Sequence, residues 1–180
     1  MRINKDNSVL VVIDIQEKLF PHIYEHDILE KNCQILISGL KSLGVPIMVT
    51  EQYSKGLGST ITSIREAIGD IESIEKSSFS CCGEPAFITA IESSGKKSVI
   101  ICGVEAHVCV LQTALDLSDR GFQPVLIEDC VASRKFNDKH IALERMRENG
   151  VIVSTYESIL FELCEVAGTE QFKAISRLVK

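Results

Sequence analysis

Residues 8–15 read Ser-Val-Leu-Val-Val-Ile-Asp-Ile. Five consecutive apolar side chains ending in a carboxylate leave little freedom of fold. A strand apolar on both faces must be covered on both faces, and that is the setting of a central strand in a parallel sheet. Similar runs recur at residues 45–50, 97–103, 123–129 and 151–155, with a weaker one at 73–75. Helical patterns separate them. In residues 27–43, Leu29, Cys33, Leu36, Ile37 and Leu40 share one face, and Gly44 follows as a stop. Further helices are expected at 61–68, 84–94, 108–120, 137–149, 156–167 and 170–178, and a Gly- and Ser-rich loop at 51–60. Six alternations of strand and helix predict an α/β fold: a three-layer, doubly wound arrangement with a six-stranded parallel sheet and helices on both faces.

The chain of 180 residues fits one domain spanning 1–180, with no internal repeat or linker dividing it. At 45% hydrophobic and 24% charged it can bury a core and stay soluble. A net charge of −6 argues against nucleic acid and against anionic membrane surfaces as partners. No secretory leader is recognised at the polar start, and no apolar run approaches the ~20 residues that span a bilayer. The seven cysteines, an odd number without a CxxC pair, indicate a reducing compartment, so a cytoplasmic location is expected.

Ligands of open parallel sheets bind beyond the carboxyl ends of the strands. Three reactive residues fall there. Asp14 ends the first strand, where a partly desolvated carboxylate needs a positive or hydrogen-bonding partner. Its plain alternative is a strand-end residue that satisfies loop amides. Lys76 follows the short strand at 73–75; most lysines in such loops are solvated surface charges. Cys109 lies where residues 103–110, Gly-Val-Glu-Ala-His-Val-Cys-Val, leave a strand and enter a helix. Free amides in a first helical turn, helped by a nearby lysine, would favour its thiolate. A buried apolar thiol is the commoner fate, and Cys33, Cys102 and Cys130 fit it better.

These residues, in this order, make the chain resemble the isochorismatase-like cysteine hydrolases. The matching pieces are Val-Val-Ile-Asp-Ile-Gln at 11–16, Lys76 with Phe79 and Ser80, residues 103–110, residues 112–117 and residues 128–134. Glu51 to Gly58 and the stretch 156–163 are similar to the small isochorismatase-domain-containing proteins of unassigned substrate. The resemblance covers essentially the whole chain and implies a catalytic centre of Asp14, Lys76 and Cys109. It also implies a non-proline cis peptide between Val104 and Glu105, with the Glu105 and Cys109 amides forming an oxyanion hole. Cys109 would attack a carbonyl carbon, with Asp14 moving the proton and Lys76 holding both anions and lowering the thiol pKa; a thioester would follow.

The substrate implied is a small molecule with an amide-like C–N bond. True isochorismatases cleave a vinyl ether without a cysteine nucleophile. Nicotinamidases of the family carry an Asp-x-His metal motif after the second strand, where this chain has Glu51, Gln52 and Tyr53. No metal and no cofactor are therefore expected. Gln16, Phe20, Gln52, Tyr53 and Phe79 are the candidate substrate-binding residues, with Phe20 and Phe79 weighed equally as packing residues. Family resemblance implies a homo-oligomer, anything from dimer to octamer. Two other readings fit the same residues: an interaction module in which the triad is little used, and a metal-dependent nicotinamidase-type amidase.

Overall fold

The computed structural model describes residues 2–180. Its strands are β1 (Ser8–Ile13), β2 (Ile47–Gln52), β3 (Ser73–Lys76), β4 (Ser98–Val104), β5 (Gln123–Ala132) and β6 (Ile152–Ser154). The helices are α1 (His26–Ser42), the single turn α2 (Ser54–Leu57), α3 (Thr62–Ile68), α4 (Pro85–Ser93), α5 (Leu111–Asp119), α6 (Phe136–Glu148), α7 (Tyr156–Cys164) and α8 (Glu170–Leu178). A π-helical turn, Ala106–Val110, leads into α5. The six strands form one sheet in the order β3-β2-β1-β4-β5-β6, every pair parallel.

The alternation of side chains along β1 builds two cores. Leu10 and Val12 face one layer with Leu36, Leu40, Ile64, Leu160 and Ile175. Val9, Val11 and Ile13 face the other with Phe87, Ile91, Leu117, Leu143 and Met146. All six residues of β1 are buried, as the continuous apolar run requires.

The chain runs outward from β1 to β3 and then returns to β4 on the other side of β1. The strand order therefore reverses between β1 and β4, and a crevice opens beyond their carboxyl ends. Gly103 lets the two strands close there. Its φ is +123°, and a Cβ would collide with the Ile13 carbonyl.

Three of the differences from the expected boundaries bear on the site. β2 begins two residues later and continues through Gln52, because Glu51 and Gln52 pair with Glu75 and Lys76. β3 includes Lys76 itself. β5 continues past Asp129 to Ala132: its register against β4 jumps between Ile101 and Gly103, and polar Glu128 and Asp129 ride in that irregularity rather than ending the strand.

Candidate active site

Asp14 directly follows β1. Its φ of +52°, rare outside glycine, turns the chain sharply, and its amide donates to the Thr50 carbonyl at 3.2 Å. The carboxylate is fully buried. Oδ1 accepts from Thr50 Oγ1 at 2.8 Å. Oδ2 lies 2.7 Å from Lys76 Nζ, a contact of charge rather than an aligned hydrogen bond. The Cys109 thiol lies near enough for the Asp14 carboxylate to raise its pKa.

Lys76 starts two strands away, and its long stem spans that distance to reach Asp14. A fully buried ammonium is stable only when oxygens surround it. Here Gln52 Oε1 accepts at 2.7 Å, the Phe79 carbonyl at 3.0 Å and the Ser78 carbonyl at 3.1 Å. A solvated surface lysine is thereby excluded.

Cys109 sits in the π-helical turn after β4, following the cis peptide between Val104 and Glu105. The Glu105 carbonyl accepts from the amides of Val108 and Val110, which fixes the turn. Burial pushes the Cys109 thiol up to about 12; the Asp14 carboxylate pushes the same way, and the Lys76 charge opposes them. The expectation of a low-pKa thiolate is thus overturned. Helix amides and one ammonium do not outweigh desolvation beside a carboxylate. The raised value favours a resting thiol beside a buried carboxylate.

Asp14 and Cys109 share a cavity of about 140 Å³ whose other walls are Leu19, Gln52, Leu57, Phe79, Glu105 and Val108. Of the five residues expected to bind substrate, Gln52 and Phe79 line it, and Phe79 is 56% exposed at the surface. The other three do not. Gln16 is buried and ties loops together: Nε2 donates to the carbonyls of Gln52 (3.0 Å) and Gly58 (2.7 Å), and Oε1 accepts from the Gln52 amide (2.7 Å). Phe20 packs in the core, edge-on to His26. Tyr53 is 58% exposed and turned away by a left-handed backbone. Leu19, Leu57 and Val108 were not anticipated. Leu57 had a signal, as the one apolar side chain in the glycine- and serine-rich stretch 54–60.

Several of the surrounding polar groups are engaged. Glu105 Oε2 accepts from the Arg134 amide at 3.0 Å and from Arg134 Nε at 3.1 Å. His107 Nδ1 lies 2.9 Å from Ser133 Oγ. At the nicotinamidase metal position, Glu51 Oε1 is occupied by Thr60, Ser73 and Arg65, and Gln52 Oε1 by Lys76. Among the described residues no three His, Cys, Asp or Glu side chains converge on a point that could hold a metal ion. The residues present do not fit that metal.

A sequence profile of the isochorismatase domain matches residues 8–158. The chain is 37% identical to the secreted isochorismatase effector Isc1 of Phytophthora sojae, over 99% of this chain and 87% of that protein. It is 39% identical to isochorismatase domain-containing protein 1 of Danio rerio, over 96% of this chain but 61% of the longer relative. Among solved structures, one described as the MAR1 ribonuclease of Caenorhabditis elegans superposes with a TM-score of 0.93 at 36% identity, covering 99% of this chain and 92% of that one. The YcaC product of Escherichia coli, described as an octameric hydrolase of unknown specificity, also gives 0.93, at 23% identity over 99% and 89%; that likeness concerns the fold alone.

Proposed function

Because the chain belongs to the isochorismatase-domain family and carries its hydrolase fold, we propose that it is a cysteine hydrolase that cleaves the C–N bond of a small amide-like substrate through a thioester. One observation carries this reading. A single buried carboxylate, Asp14, is held by Thr50 and Lys76 and shares with the Cys109 thiol a cavity large enough for a small molecule.

The steps follow from that arrangement. Substrate enters over Phe79 and places its carbonyl carbon by Cys109 Sγ. Asp14 takes the thiol proton as sulfur attacks, so no free thiolate has to accumulate, which suits a thiol pushed up to about 12. The Glu105 and Cys109 amides receive the developing oxyanion. Collapse breaks the C–N bond, and Asp14 returns its proton to the departing amine. Water then gives a proton to Asp14 and its hydroxyl to the thioester carbon; the acid leaves and Cys109 regains its proton. Lys76 keeps the carboxylate aligned and balances the site's charge throughout. Neither metal nor cofactor takes part.

We further propose a cytoplasmic homo-oligomer. The seven cysteines are all free, as in a reducing compartment. No helix among the described residues is long and apolar enough to cross a membrane. Tyr24, Ile28, Phe136 and Ile141 are exposed large apolar side chains of the kind that subunit contacts cover, and the E. coli protein of this fold is described as octameric. The acidic charge supports a small-molecule partner rather than nucleic acid.

The test is ammonia release from a panel of small primary amides. Wild type should turn over at least one, and Cys109→Ser should lose at least about a hundredfold in rate. Turnover that survives in Cys109→Ser removes the cysteine mechanism, and silence across the whole panel favours the interaction-module reading.

A further inference from the structure

The cavity walls carry information about substrate charge. Leu19, Leu57, Phe79 and Val108 make most of the enclosure apolar. The Lys76 ammonium is not among the lining residues; its protons are turned toward Asp14, Gln52 and the carbonyls of Ser78 and Phe79. Gln52 Oε1 accepts from Lys76, and one of the two Nε2 protons goes to the Ser77 carbonyl at 2.7 Å.

Glu105 is different. Glu105 lines the cavity, and of its two carboxylate oxygens only Oε2 has partners among the described residues, both from Arg134. The two charges of that pair do not cancel inside the cavity. The Arg134 side chain is 59% exposed and does not line it, so its charge is solvated; the Glu105 side chain is 9% exposed. Water screens the outer charge far more than the inner one. The field at the substrate position is therefore that of a carboxylate. Oε1 is left as an acceptor for a substrate N–H.

We propose that Glu105 is a specificity-determining residue: the cavity takes compact, uncharged amides that donate an N–H to its free oxygen, and it rejects carboxylates and phosphates of the same size. An anionic group would meet a carboxylate, apolar walls and no Lys or Arg among the lining residues, which is a repulsive arrangement rather than a merely neutral one. This rests on the reading of Cys109 as the nucleophile.

Iodoacetamide and iodoacetate test it. The two reagents differ by amide against carboxylate and alkylate the same sulfur. Labelling rates at Cys109 are followed by peptide mass spectrometry at pH 9, for the folded protein and for the chain unfolded in urea. The ratio of amide to acid rates should be at least about tenfold higher in the folded protein than in the unfolded reference. Glu105→Gln should bring that ratio at least about fivefold back toward the reference. A folded ratio equal to or below the reference overturns the charge selection while leaving the nucleophile intact. Failure of Cys109 to react with either reagent overturns the nucleophile reading, and this proposal with it. The wild-type comparison needs no variant, so a poorly folding Glu105→Gln does not blunt the test.

Discussion

Replacing Lys76 with methionine keeps most of the stem's volume and deletes the charge. Four oxygens then lose their partner: Asp14 Oδ2, Gln52 Oε1 and the carbonyls of Ser78 and Phe79. Removing one partner of a buried ion pair costs about 3–5 kcal/mol, because the other charge stays buried and uncompensated. With three further acceptors orphaned, the upper end of that range is expected. Asp14→Asn should cost less, since the ammonium keeps three of its four oxygens. At a urea slope of about 2 kcal/mol per molar, Lys76→Met moves the unfolding midpoint down by roughly 2 M. The double variant Asp14→Asn, Lys76→Met should recover at least about 1 kcal/mol relative to the sum of the single losses. Equilibrium urea unfolding, followed by circular dichroism at constant protein concentration, reads all three. A Lys76→Met loss below about 1 kcal/mol, or strict additivity, would refute the picture of a buried, coupled pair.

Other predictions concern the backbone, the thiols and nucleic acid. Gly103→Ala should destabilise by at least about 3 kcal/mol, or prevent folding, since the methyl meets the Ile13 carbonyl and φ is positive; a thermal melt within a few degrees of wild type would contradict it. The thiols of Cys33, Cys81, Cys82, Cys102, Cys109 and Cys130 are all raised in the folded chain. Above pH ~9 the unfolded chain therefore binds fewer protons than the folded one, and stability falls as pH rises toward 12, by up to about 1.4 kcal/mol per pH unit for each thiol. Urea midpoints that stay flat from pH 8 to 10.5 would argue against these buried thiols. Alkylation of Cys109 should still be climbing with pH at pH 10; a plateau below pH 8 would mean that Lys76 outweighs burial and Asp14. Despite likeness to a protein described as a ribonuclease, the chain should neither bind nor cut single-stranded RNA at physiological salt, and salt-sensitive binding in a filter assay would contradict the proposed small-molecule role.

Much of this architecture is legible in the sequence because burial on both faces writes itself as unbroken apolar runs. Residues 8–15 and 97–103 could be read as strands buried on both faces for that reason, while the reversal of strand order that brings Asp14 and Cys109 together is seen only in the fold. Lys76 shows the limit. Nothing local separates it from a surface lysine; only its register opposite Gln52, two strands from Asp14, shows that its stem can reach. Side-chain direction caused the errors among the pocket residues. Gln16 and Tyr53 both follow strands, but one is drawn inward by backbone amides and carbonyls and the other is turned out by a positive φ. The raised thiol was hidden for another reason. Sequence shows the helix start and the lysine, whereas the desolvation that outweighs them depends on how deeply the π-helical turn is buried.

The central claim is that Cys109 acts as a nucleophile with Asp14 as its base. It is tested most directly by acetyl transfer from 4-nitrophenyl acetate, a small uncharged acyl donor, with the adduct located by peptide mass spectrometry. The account predicts a hydroxylamine-sensitive acetyl thioester on Cys109, formed at least about a hundredfold more slowly in Asp14→Asn. Acetylation spread over other cysteines and lysines with Cys109 unmodified, or equal rates in wild type and Asp14→Asn, would contradict it.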